Sequence, residues 1–191
     1  MQDYREFISK ILIPEDVLQK RIQELGEEIS RDYAGKDLLL VCVLRGGIMF
    51  LVDLMRQIHI PHKIEFMAVS SYGLGQRSTT GQARITLDLD ININDYHVLM
   101  VEDIIDSGYT MNSLLKLLSI RQPKSLEVCA LLDKSSRREV EVPIRYRGFE
   151  IPDEFVFGYG LDMDEYYRNL PFVAVVDLDR YNTLSKNNTK S

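Results

Sequence analysis

The apolar residues of this chain follow two alternating rhythms, short unbroken runs and three-to-four-residue spacing. Residues 38–44 form an unbroken run suited to a strand buried on both faces. Residues 48–58 then place Phe50, Leu51, Leu54, Met55 and Ile58 at helical spacing, with Asp53, Arg56 and Gln57 on the other side. Arg45-Gly46-Gly47 separates the two. The pattern recurs at Val98-Leu99-Met100-Val101, a second buried run. After a polar interval, Met111, Leu114, Leu115, Leu117 and Leu118 mark a helix that should end near Arg121-Gln122-Pro123. Upstream, Pro14-Glu15-Asp16 suits the first turn of an amphipathic helix carrying Val17, Leu18, Ile22, Leu25 and Ile29.

Further strands are predicted at 64–70, 126–132 and 172–176. Residues 84–91 alternate apolar and polar positions, as a half-exposed strand near a sheet edge does, and 140–149 read as an edge strand interrupted at Pro143. Residues 71–81 are polar and glycine-containing, the composition of a lid or a disordered loop. Residues 155–162 form an aromatic segment, Asp164 and Glu165 read as the acidic first turn of a helix, and 185–191 as a loose tail. Alternating strands and helices with no internal repeat predict an α/β fold, a mostly parallel sheet flanked by helices, in a single domain over 1–191.

Composition narrows the partners. Hydrophobic residues at 45 % and charged residues at 27 % are ordinary for a globular domain, and a net charge of −6 argues against broad nucleic-acid binding. No apolar run approaches the roughly 20 residues that cross a bilayer. The polar start Met1-Gln2-Asp3-Tyr4-Arg5-Glu6 is unlike a signal peptide, so no membrane contact and a cytoplasmic location are expected. Cys42 and Cys129 lie within apolar runs, as buried reduced thiols do, and Pro61 between His59 and His62 argues for a loop rather than a metal-ligand face.

The polar interval carries the chemistry. Glu102, Asp103 and Asp106 precede Ser107-Gly108-Tyr109-Thr110 where strand should become helix, the place where open α/β sheets keep ligands. An isolated Asp-Ser-Gly would be only a helix cap. Here the buried strand before it, the helix after it and the neighbouring acids favour a phosphosugar. Backbone N–H groups and the helix dipole suit the phosphate, and carboxylates suit ribose hydroxyls or a divalent cation.

The stretch 98–110 resembles the 5-phosphoribosyl 1-pyrophosphate signature of type I phosphoribosyltransferases, and 101–110 is similar to their hypoxanthine-guanine branch. Leu44-Arg45-Gly46-Gly47, Ser70-Ser71-Tyr72-Gly73, Leu131-Leu132-Asp133-Lys134 and Phe155-Val156-Phe157-Gly158-Tyr159-Gly160-Leu161-Asp162 follow in that family's order. The resemblance implies the type I phosphoribosyltransferase fold, with a small hood region formed from the chain ends and a mobile lid loop over about 71–84. It implies Mg²⁺-dependent transfer of phosphoribosyl from phosphoribosyl pyrophosphate to hypoxanthine or guanine, giving IMP or GMP and pyrophosphate in purine salvage. A homodimer or homotetramer is expected.

Residue roles follow from the same resemblance. Asp106 is expected to act as general base or proton partner at N7 of the purine, with Ser107, Gly108, Tyr109 and Thr110 around the 5-phosphate. Glu102 and Asp103 would hold the ribose and metal, and Arg45, Gly46 and Arg168 the pyrophosphate. Many relatives carry lysine where this chain has Arg45, and the family often has a cis peptide in this loop, here Leu44-Arg45. Ser71 and Tyr72 would begin the lid. Lys134 would donate to the 6-oxo group, Phe155 stack on the base, Val156 offer backbone contacts, and Asp162 lie near the 2-position and a second metal. Core packing is preferred for Phe157. Arg137 and Arg138 suit phosphate or subunit contacts, or plain surface solvation. A xanthine-preferring transferase and a nucleotide-sensing regulator remain alternatives.

Overall fold

The computed structural model describes residues 3–70 and 84–188. In chain order the elements are β1 (Ile8–Ile13), α1 (Glu15–Asp32), β2 (Leu38–Leu44), α2 (Ile48–Gln57), β3 (His62–Ser70), β4 (Arg84–Leu87) and β5 (His97–Ile105). There follow α3 (Tyr109–Ser119), β6 (Ser125–Asp133), β7 (Tyr146–Glu150), β8 (Val156–Phe157), β9 (Val173–Val176) and α4 (Leu178–Asn188).

The two buried apolar runs lie side by side. β2 and β5 pair in parallel at the middle of a six-stranded sheet ordered β4-β3-β2-β5-β6-β7, parallel throughout except for the edge strand β4. Alternate residues feed opposite faces. Leu38, Leu40 and Cys42 of β2 pack with Leu18, Ile22 and Leu25 of α1 and Leu51 and Leu54 of α2. Leu39, Val41 and Val43 pack on the other face with Met111, Leu114 and Leu118 of α3. Cys42 and Cys129 are buried free thiols, and burial pushes the Cys42 thiol up to about 12 and Cys129 higher still.

A second, three-stranded sheet, β1-β9-β8, joins segments from near both ends of the chain, all antiparallel. Its core is Phe7, Phe157, Met163, Leu170, Ala174 and Val176, with the Phe7 ring 5.6 Å from Phe157 and 5.0 Å from Tyr181. Phe157 is thus core, as expected.

Several elements differ from the sequence expectation. β1 was not visible because Ser9 and Lys10 interrupt its apolar pattern and its partner β9 is remote in sequence. The strand predicted over 140–149 begins only at Tyr146, where pairing with β6 starts. Asp164 and Glu165 open no helix; their φ angles of 50° and 70° are left-handed, in a tight segment where Met163 bridges Tyr166. The predicted tail is helical through Asn188, since α4 runs on from Leu178.

Candidate active site

The junction differs from expectation in a way that matters for chemistry. β5 continues through Glu102 and Asp103 to Ile105, because its ladder with β6 persists as far as Asp133, so these two acids stand on a rigid strand. Only Asp106, Ser107 and Gly108 form the turn, and α3 begins at Tyr109 rather than Met111. Gly108 has φ 92°, and a Cβ there would collide with the Val140 carbonyl. Gly108, the N-cap of α3, makes no side-chain hydrogen bond to the first helical N–H groups, which suits that terminus to another acceptor. The Ser107 carbonyl accepts from the Glu139 and Val140 N–H groups at 3.0 Å each, which pins the turn. Tyr109 and Thr110 are exposed beside it.

Asp103 is only 8 % exposed, and its Oδ1 accepts the Ile104 N–H at 2.8 Å. Its Oδ2 occupies the space that a Cβ on Gly46 would need, and a Cβ on Gly160 would strike the Gly46 carbonyl. The Asp103 carboxylate and the Gly160 backbone therefore both close on Gly46, where the Leu44-Arg45 peptide is cis. Glu102 Oε2 is buried with no hydrogen-bond partner among the described residues. Burial raises both carboxyls, and the Asp103 charge lifts Glu102 further, well above the usual carboxylate range.

Beyond Gly46 lies an ion-pair chain. Arg45 Nη2 meets Glu165 Oε1 at 2.9 Å, while Arg168 Nη2 meets Asp162 Oδ1 at 2.8 Å and Glu165 Oε2 at 3.2 Å. Arg168 Nη1 also donates to the Gly160 carbonyl at 2.8 Å. Glu165, which bridges both arginines, was missed because it read as helix. Asp53 was read as the solvent side of α2, yet its Oδ2 accepts from the buried Tyr159 hydroxyl at 2.5 Å and from Gln19 Nε2 at 3.0 Å. No local signal in the sequence could have paired them.

At the other end, Lys134 follows β6 and is 6 % exposed, far from the solvated loop lysine its neighbours suggest. Its N–H donates to the Ile105 carbonyl at 3.0 Å, and its Nζ lies 3.8 Å from Asp106 Oδ2. Asp133 is 1 % exposed between Arg138 and Arg147, its Oδ2 2.8 Å from Arg147 Nε. Phe155 is 48 % exposed, and Val156 is buried in β8 opposite Val175 of β9. Ser71 and Tyr72 lie outside the described residues.

Among the described residues no three His, Cys, Asp or Glu side chains converge as a ready metal centre. The orphaned Glu102 oxygen beside Asp103 still fits a hard cation, since Mg²⁺ is commonly held by one or two carboxylates together with substrate oxygens. Asp162 does not complete a three-carboxylate cluster with them, and its oxygens are engaged by Arg168 and the Glu165 N–H.

Comparison with known proteins gives the family. The phosphoribosyl transferase domain family matches residues 15–164. A hypoxanthine phosphoribosyltransferase of Salmonella typhimurium is 50 % identical over 171 residues, covering 88 % of this chain and 96 % of the relative. A hypoxanthine-guanine phosphoribosyltransferase of Mycobacterium avium is 48 % identical, covering 89 % and 86 %. The crystal structure of a hypoxanthine phosphoribosyltransferase from Staphylococcus aureus superposes with a TM-score of 0.88 at 41 % identity, covering 93 % of this chain and 96 % of that one. A match of this extent, on a fold that sets paired acids before an uncapped helix, places the chain in the phosphoribosyltransferase family, on its hypoxanthine-guanine branch.

Proposed function

We propose that this enzyme transfers the 5-phosphoribosyl group of phosphoribosyl pyrophosphate to hypoxanthine or guanine, yielding IMP or GMP and pyrophosphate in purine salvage. The observation that carries this reading is the buried Lys134 in ion-pair reach of Asp106, beside the uncapped start of α3. A cation and a carboxylate there match the 6-oxo group and N7 of an oxopurine, and the open helix terminus suits the 5-phosphate.

In this reading Ser107, Gly108, Tyr109 and Thr110 cradle the 5-phosphate, and Glu102 and Asp103 accept the ribose hydroxyls and hold Mg²⁺. Mg²⁺ held there would supply positive charge that offsets the charge of the pyrophosphate. Arg45 and Arg168 face the same anion, with the backbone at Gly46 close to it, and Asp162 lies toward the 2-position and a second metal. Phe155 stacks on the base, Val156 binds its edge through backbone groups, and Asp106 takes or shares the N7 proton as N9 attacks C1 of the ribose. Lys134 presents a donor, which selects a 6-oxo acceptor over the 6-amino group of adenine. Ser71 and Tyr72 would close over the reacting atoms and keep water from a ribosyl centre that would otherwise hydrolyse.

We take 1–191 as one transferase domain, with the β1-β9-β8 sheet as its hood and 71–84 as its lid, acting as a homodimer or homotetramer in the cytoplasm without membrane or nucleic-acid partners. No helix among the described residues is long and apolar enough to cross a membrane.

The test is a four-base assay with phosphoribosyl pyrophosphate and Mg²⁺, run on wild type and Asp106→Asn. Hypoxanthine or guanine should be turned over fastest, and the substitution should slow transfer by about 10²–10⁴-fold. Faster turnover of adenine would overturn the base assignment, faster turnover of xanthine would favour the xanthine transferase, and an unchanged Asp106→Asn rate would remove the proton role.

A further inference from the structure

The sequence left Arg137 open between phosphate contact, subunit contact and solvation. In the structure it touches the carboxylate at the centre of the site. Asp106 faces two cations, Lys134 Nζ at 3.8 Å from Oδ2 and Arg137 Nε at 3.4 Å from Oδ1. That Oδ1 is out of solvent contact and accepts no hydrogen bond among the described residues, and the Arg137 guanidinium forms an ion pair with it. Arg137 ends a short 3-10 turn, Ser135–Arg137, and its N–H donates to the Lys134 carbonyl at 3.0 Å. Its Nη1 reaches Asp153 Oδ1 at 3.5 Å, two positions before the exposed ring of Phe155. The neighbouring Arg138 is committed elsewhere, to Asp133 and the Ile105 carbonyl.

We propose that Arg137 is a positioning residue for the transfer reaction, holding the Asp106 carboxylate and tying it to the segment that presents Phe155. The argument rests on the reading in which Asp106 handles the purine proton and Lys134 binds the 6-oxo group. When the base arrives, Lys134 turns to the purine and Asp106 keeps one cation. A carboxylate left without any where the bound base displaces water carries a desolvation penalty, and Arg137 offsets it. In solvent the pair is weak, because the Arg137 and Asp106 side chains are 48 % and 43 % exposed. It strengthens where the bound purine displaces water, as charge interactions grow in a lower dielectric. The contribution therefore falls on the chemical step rather than on folding.

A double-mutant cycle on the full-length enzyme tests this with Arg137→Gln, Arg137→Lys, Asp106→Asn and Asp106→Asn/Arg137→Gln, using hypoxanthine, phosphoribosyl pyrophosphate and Mg²⁺. Arg137→Gln is expected to lower kcat by about 5- to 10-fold with an unchanged KM for phosphoribosyl pyrophosphate, and Arg137→Lys to restore most of it. In the Asp106→Asn background Arg137→Gln should cost nothing further, because coupled residues are non-additive. Wild-type kcat in Arg137→Gln, or the same loss with Asp106 absent, overturns the inference while leaving the proton role of Asp106 standing. Wild-type kcat in Asp106→Asn overturns that role, and the inference with it.

Discussion

Lys134 Nζ lies 3.8 Å from Asp106 Oδ2, which joins the end of β6 to the turn after β5. The lysine is buried and its charge is matched by a carboxylate in the half-exposed turn. In the proposed reading an oxopurine offers that lysine its 6-oxo acceptor, while a base with an amino donor at position 6 leaves it facing Asp106.

Replacing the lysine with methionine keeps most of its volume and removes the charge. Lys134→Met is expected to reduce kcat/KM for hypoxanthine by about 10- to 100-fold, the range for a lost hydrogen bond to a charged group. Residual adenine turnover should change little. Steady-state kinetics with both bases decides it, and equal losses for the two would remove Lys134 from base selection.

Glu102 gives a pH signature. Its carboxyl is raised by burial and by Asp103, so the folded state binds this proton more tightly than the unfolded chain does. Between the ordinary glutamate value of about 4.3 and the raised value, stability must therefore fall as pH rises. Glu102→Gln removes that ionisation. In chelator, the variant should melt above wild type at pH 8 and level with it near pH 4, and Mg²⁺ should narrow the gap at pH 8 by stabilising wild type. A gap unaffected by pH would show that Glu102 ionises freely in the folded protein.

Gly46 tests the approach of loop and strand. A Cβ at this position would occupy the place of Asp103 Oδ2, and Asp103 is buried with its other oxygen bound to the Ile104 N–H. Gly46→Ala should displace the carboxylate and lower kcat/KM for phosphoribosyl pyrophosphate by about 10²-fold, a cost typical of misplacing a group by an ångström. The KM for hypoxanthine should stay close to wild type. Unaltered use of phosphoribosyl pyrophosphate would mean that Asp103 is free to move.

What could be read from the chain alone was local. The run at 38–44 became β2 with the same limits, the helical spacing after Pro14 became α1, and two of the motifs meet the opening acids in the fold, Gly46 against Asp103 and Lys134 against Asp106. Burial on both faces requires an unbroken apolar run, and a buried helical stripe requires 3.6-residue spacing, so both leave their trace within a few residues. The tertiary structure decided the rest. Asp53 and Tyr159 are 106 positions apart, Arg45 and Glu165 are 120 apart, and β1 finds β9 from the other end of the chain. Asp133 carries the same residue type whether solvated or buried, and only the arrival of Arg138 and Arg147 around it makes burial tolerable. Even Arg137, close in sequence to Lys134, meets Asp106 only because parallel pairing of β5 with β6 brings their C-terminal ends together. Periodicity records which side of an element is buried; which charge it will face depends on chain brought in from elsewhere.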